Sequence, residues 1–279
     1  MPLTGRDVFG HPIGSMDVWT DTHCHLNHPD FASDAAQVWN RAREVGVHHA
    51  VVVGYDLASS EAALQVATRF DGCWASVGIH PHDAVQCDEN ALRRLQQMAS
   101  QRRVVALGEI GLDYYRNLSP ADAQRRAFEE QLQLALQLRL PVIIHCREAY
   151  DHLLDILSRY PLRGVLHCFS GDLHHAQRAV EMGWYLGIGG VVTFKNAQTL
   201  REVVRQTPLE NLLLETDAPY LAPMPYRGKR NEPAYIPLIA QMVASLKNLP
   251  IEELATVTTQ NAHRLFSLEE RYQYVLSAL

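Results

Sequence analysis

Short apolar runs of β-strand length recur near residues 17–24, 48–54, 73–79, 104–109, 142–145, 164–167, 184–190 and 211–217. Between them lie longer stretches with helical spacing. The clearest runs from Ser119 to Arg139, where Phe128, Leu132, Ala135 and Leu136 repeat at helical intervals, with Ser119 placed to cap and Pro120 suited to the first position. Ser33-Asp34 is a similar start signal ahead of Ala35, and Leu173 to Val180 fits the same layout after the sixth run. Alternation at roughly 25 to 30 residues per strand-helix unit is what βα repeats need. The pattern predicts an α/β protein, a single-domain (β/α)8 TIM barrel over residues 17–279.

A barrel of this kind places its active site at the carboxyl ends of its strands. His23, His25, Glu109, His145, His167 and Asp217 are all expected there. His23 and His25 stand two apart on one strand, so both imidazoles face the same side and can reach one ion. Imidazole and carboxylate donors suit zinc or manganese, and carboxylate sites with water also accept magnesium. The set therefore predicts metal-assisted hydrolysis, in which ions lower the pKa of a bound water and neutralise charge on a leaving oxygen. Asp217 is both a ligand and a candidate base for that water.

Other residues carry two readings. Glu215 shares a strand face with Asp217 and either orients a ligand from behind or pairs with a cation inside the barrel. His80, in Gly-Ile-His80-Pro, either contacts phosphate or donates a proton, or belongs to a loop fixed by Pro81. Arg227, Lys229 and Arg230 follow strand 8 beside a glycine and form either a phosphate cradle or a solvated loop; Lys195 after strand 7 is ambiguous in the same way.

Seven ordered blocks resemble the TatD-type metal-dependent deoxyribonucleases of the amidohydrolase-like superfamily: Asp21-Thr-His-Cys-His25, Gly78-Ile-His-Pro81, Gly108-Glu-Ile-Gly-Leu-Asp113, Pro141-Val-Ile-Ile-His145, His167-Cys-Phe-Ser-Gly171, Leu214-Glu-Thr-Asp-Ala-Pro219 and Arg227-Gly-Lys-Arg-Asn-Glu-Pro233. The resemblance spans about Asp17 to Phe266. It implies two divalent ions, one held by His23, His25 and Asp217, the other by His145 and His167, with Glu109 bridging. Catalytic work is expected at Asp217, Glu109 and His80, the first and last from their places at the barrel's active end. It also implies hydrolysis of DNA phosphodiesters from an end. An alternative on the same site is an ester or amide hydrolase, such as a deacylase of D-aminoacyl-tRNA; a catalytically idle binding protein is disfavoured by the complete ligand set. Relatives often begin near the His-x-His block, so residues 1–16 are expected to be a disordered extension, with Met16 an alternative start.

Composition bounds the rest. The chain of 279 residues is 47% hydrophobic and 20% charged, enough for one sizeable core. Its net charge of -6 argues against tight grip on long duplex DNA and for an accessible end or a single strand, gripped locally by metals and the Lys/Arg loop. Five cysteines without paired spacing fit reduced thiols and a cytoplasmic location, with Cys24, Cys146 and Cys168 turned from the metals by strand alternation. No run reads as a membrane span or signal peptide, and no obligate protein partner is indicated.

Overall fold

The computed structural model describes residues 18–268. The expectation for residues 1–16 lies outside them. Eight strands appear where the apolar runs predict them: β1 (Trp19–Cys24), β2 (Val47–Val53), β3 (Cys73–Val77), β4 (Val104–Asp113), β5 (Val142–Arg147), β6 (Gly164–Leu166), β7 (Tyr185–Ile188) and β8 (Leu212–Leu214). They form one parallel sheet in sequential order. Its ends meet through Thr22 Oγ1, which donates to Leu214 O (2.9 Å), and through main-chain bonds from Asp217 N to His23 O (2.8 Å) and from His25 N to Ala218 O (2.7 Å). The result is a nearly closed (β/α)8 barrel.

The helices are α1 (Ala35–Glu44), α2 (Leu57–Arg69), α3 (Glu89–Ala99), α4 (Ala121–Leu138), α5 (Tyr150–Leu157), α6 (Leu173–Glu181), α7 (Gln198–Gln206), α8 (Ile236–Lys247) and α9 (Ile251–Phe266). Strand residues of one parity, such as Val52, Val104, Val142 and Leu166, pack against this helical layer. The opposite parity, including Val51, Trp74, Val105, Ile143 and Leu213, fills the interior together with Leu265, Phe266 and Leu268. The end of α9 thus helps complete the inner core, a role the strand pattern did not foretell.

Two helix starts differ from expectation. Pro120, not Ser119, occupies the cap of α4; Ser119 Oγ instead donates to His82 O (2.7 Å), tying the β3 loop to the β4 loop. Asp34 holds the cap position of α1, but its carboxylate turns to Arg230. On α4, Phe128, Leu132 and Ala135 are buried while Leu136 is exposed, so the apolar stripe is narrower than read. The same buried face carries Gln124 and Gln131. Gln131 brackets Ile79, accepting from its N–H (2.8 Å) and donating to its carbonyl (3.0 Å), and Gln124 accepts from Asp113 N (2.8 Å). Each glutamine satisfies main-chain groups that would otherwise be buried unpaired. Together they fix the segments that lead to His80 and Asp113.

Candidate metal centre

β4 is longer than its apolar run suggested, and Glu109 sits inside it rather than at its end. Pairing with β5 skips between Leu107 and Ile110, and the irregularity frees Glu109 from the regular ladder; its N–H donates to Gly54 O (2.8 Å). Gly111, at φ +147°, allows the close approach of β5: a Cβ there would lie 1.9 Å from His145 O. The Glu109 carboxylate therefore stands at the axis of the strand ends.

Around it the structure gathers the other five of the six residues singled out by the sequence. His23 Nε2 lies 3.5 Å and His25 Nε2 4.0 Å from Glu109 Oε2, and Asp217 Oδ1 is 3.6 and 3.3 Å from the same two nitrogens. On the other oxygen, Oε1, His145 Nδ1 and His167 Nε2 each stand at 3.0 Å, and His80 Nε2 at 3.4 Å. Each carboxylate oxygen faces its own set of imidazoles. That is the arrangement a bridging carboxylate requires.

Three of the rings have a group beside the nitrogen that points away from Glu109, whereas His23 Nδ1 has no hydrogen-bond partner among the described residues. His25 Nδ1 is 3.0 Å from Val53 O, which fixes Nε2 as the inward lone pair. His145 is turned the other way, with Nδ1 inward and Nε2 3.0 Å from Asp113 Oδ2. Glu215, of its two readings, lies against a histidine: Oε1 is 3.3 Å from His167 Nδ1 and accepts from Cys168 N (2.5 Å). Gly187 leaves room for it, since a Cβ there would sit 2.3 Å from Glu215 Oε2. Asp217 follows β8 at φ 58°, a left-handed conformation that aspartate tolerates better than most residues. Beneath it, buried Asp21 accepts from Thr216 N (3.0 Å) and His23 N (3.2 Å), bracing both strands.

Electrostatics point to a need for positive charge. Burial pushes the Glu109 carboxyl up, but His167, His80 and His145 outweigh it and hold Glu109 well below the usual carboxylate range. Burial likewise lowers His167, yet Glu109 and Glu215 on either side raise it well above an ordinary imidazole. In His23 burial wins, helped by His167, and the pKa falls. Its Nε2 is only 3.2 Å from that of His25, and the His23 and His167 rings stack at 3.7 Å. Converging lone pairs around an ionised, buried carboxylate fit divalent ions, whose binding displaces such protons. Candidate ligand atoms lie within 4.8 Å of one another in the groups His23/His25/Glu109, His23/His167/Asp217, Glu109/His145/His167 and His80/His82/His145.

Asp113 and His82 were not singled out as site residues. Asp113 Oδ2 also accepts from His82 Nε2 (2.9 Å), so one buried carboxylate aligns two rings. Its only sequence signal was its place closing the Gly108–Asp113 block. His80 Nδ1 accepts from His82 N (3.2 Å), which leaves the proton on Nε2, and burial lowers the ring to about 4. Of the cysteines, Cys24 and Cys146 are buried in the layer facing the helices; Cys168 is partly exposed at φ 45°, where strand alternation no longer applies.

The four candidate cations divide. Lys195, Arg227 and Lys229 are exposed, with Arg227 stacked over Phe194 at 4.3 Å. Arg230 is engaged bidentately by Asp34 (3.0 and 2.6 Å) and touches Glu232 (3.2 Å), so a phosphate there competes with two carboxylates.

A family model described as TatD related DNase matches residues 20–267. The chain belongs to this family. It is 41% identical over 251 residues to the uncharacterized metal-dependent hydrolase YabD of Bacillus subtilis, covering 89% of this chain and 98% of that one. It is 39% identical over 256 residues to the 3'-5' ssDNA/RNA exonuclease TatD of Salmonella typhimurium, covering 89% and 98%. Among solved structures, the TatD homolog YJJV of Escherichia coli superposes with a TM-score of 0.85 at 34% identity, covering 89% and 98%. This TatD-family chain is a metal-dependent hydrolase. No helix among its described residues is long and apolar enough to cross a membrane.

Proposed function

We propose that this protein is a two-metal nuclease that removes nucleotides from an accessible end of single-stranded DNA. The observation that carries the reading is the division of imidazoles between the two oxygens of Glu109. One ion is assigned to His23, His25, Asp217 and Glu109 Oε2, the other to His145, His167 and Glu109 Oε1. Divalent ions held there would supply polarisation of the scissile phosphate and a more acidic attacking water. The imidazole-rich donor set favours zinc or manganese over magnesium.

The chain's own residues divide the proton traffic. Asp217 faces the opening with 14% of its side chain exposed; burial raises its pKa, but His25 and neighbouring imidazoles lower it further, so it is an ionised base for the incoming water. His80, neutral and carrying its proton on Nε2, is the donor to the leaving oxygen on the Oε1 side. Lys195, Arg227 and Lys229 grip the substrate backbone. Relatives named as 3'-5' exonucleases on single-stranded DNA and RNA support the substrate class and suggest release from a 3' end. Five free cysteines support a cytoplasmic setting.

The test is release of nucleotides from end-labelled single-stranded DNA by metal-stripped protein, re-supplied in turn with magnesium, manganese or zinc, with Asp217→Ala as control. Metal-dependent release absent from the variant is expected. No release with any metal would overturn the reading and direct attention to esters such as aminoacyl-tRNA.

A further inference from the structure

Most exposed large apolar side chains of this protein are gathered at one end. Among the described residues, all except Val45 and Leu136 lie on the loops after β3, β4 and β8, on the face that holds the metal centre. Single exposed apolar residues are ordinary, but a cluster around a polar site calls for an occupant. Two groups within it flank the centre.

On the Oε2 side, the Tyr220 ring lies 6.1 Å from the ring of His25 and 5.6 Å from that of His28, and is 49% exposed. Tyr55 stands 5.6 Å from His25 on the same flank. On the Oε1 side, Tyr115 is 55% exposed, two residues beyond Asp113, and Arg147 lies over its ring at 3.9 Å. Arg147 follows His145 by two positions on β5 and therefore shares its face, so its guanidinium stands at the mouth of the site. Aromatic planes on both flanks of a phosphodiester-cleaving centre, with a cation on one of them, match one chemistry: unpaired bases joined by phosphates. Interior bases of a duplex are already stacked and paired, so their faces are not offered to either platform.

We infer that Tyr220 with Tyr55, and Tyr115 with Arg147, form two base-stacking platforms that hold the nucleotides on either side of the scissile phosphate of a single strand. The inference rests on the nuclease reading above. Stacking is indifferent to base identity, because every base offers a π face, so the platforms select strandedness rather than sequence. They also supply affinity that the net charge of -6 does not.

The experiment compares two substrates, a short single-stranded oligonucleotide and methyl p-nitrophenyl phosphate, a diester with no base. It uses the metal-loaded wild type with Tyr220→Ala, Tyr220→Phe, Tyr115→Ala and Tyr115→Phe. The expected result is that each alanine variant loses roughly tenfold or more kcat/KM on the oligonucleotide beyond any loss on the small diester, mainly through KM, and that phenylalanine restores it. Equal losses on both substrates would mean that the tyrosines only shape the metal centre, and would overturn the inference. So would oligonucleotide cleavage by the alanine variants at the wild-type KM, which leaves the nuclease reading standing. A wild type that hydrolyses the diester but not the oligonucleotide removes both.

Discussion

On the Oε2 side of Glu109, His25 leans on a main-chain carbonyl, and His23 Nδ1 has neither a hydrogen bond nor a carboxylate beside it among the described residues. On the Oε1 side, both His145 and His167 face carboxylates, Asp113 and Glu215. Each half has acidic groups beyond Glu109, but they are spent differently. Asp217 stands among the nitrogens of its own half and faces the opening, whereas Asp113 and Glu215 stand behind their histidines. A carboxylate behind an imidazole orients the ring and raises its basicity, and so strengthens its hold on an ion. On the two-ion reading proposed above, the difference implies a division of labour: the Oε1 half would hold its ion more firmly, and the Oε2 half would place a carboxylate at the opening for proton transfer.

The largest expected effect is the one that abolishes the comparison. Glu109→Ala removes the group shared by both halves, so ion content and hydrolysis should both collapse, by more than the roughly 10–100-fold that loss of a supporting partner costs. Metal analysis of the purified variant beside its turnover checks this. Near-normal turnover would end the two-metal proposal.

Next come the supports that distinguish the halves. Glu215→Gln and Asp113→Asn should each weaken one ion roughly 10–100-fold in a chelator competition, leaving the other bound as before. If both ions weaken together, the halves are coupled and the division of labour is wrong.

These supports show how far the sequence could be read. The strands were legible because parallel strands buried on both faces are continuous apolar runs. The six candidate ligands were legible because they recur at or near those runs. The bulge that frees Glu109 was not, since it is a matter of register between β4 and β5 rather than composition. Asp113 and His82 were missed because their meaning lies in contacts with His145 and with each other, residues distant in sequence. Gln124 and Gln131 did leave a signal, two amides seven positions apart on an apolar helical face, but what they hold is visible only in space.

A smaller effect isolates the metal halves from the substrate rim. Lys195→Ala removes an exposed cation that touches neither half, so both ion affinities should persist while KM for the oligonucleotide rises. The slope of log KM against log salt should fall by about one unit for one lost phosphate contact. An unchanged slope would place Lys195 off the path of the strand.

The smallest effect concerns the loop that follows Asp217. Arg230 ties that loop to Asp34 at the start of α1, with both side chains about one-third exposed, 32% and 30%. The Arg230 guanidinium holds the Asp34 carboxyl below its ordinary value. A carboxyl depressed by folding contributes stability above its ordinary range and loses it as the pH falls through the folded value. Asp34→Asn should therefore cost about 0.5–1 kcal/mol at neutral pH, at the modest end because the pair is screened by solvent. Its urea midpoint should converge with that of the wild type in acid. Ion affinity of the Oε1 half should not move, whereas any change should fall on the half that contains Asp217. A variant that weakens the Oε1 ion instead would show that the loop after β8 supports both halves, and that they are less separate than their partners suggest.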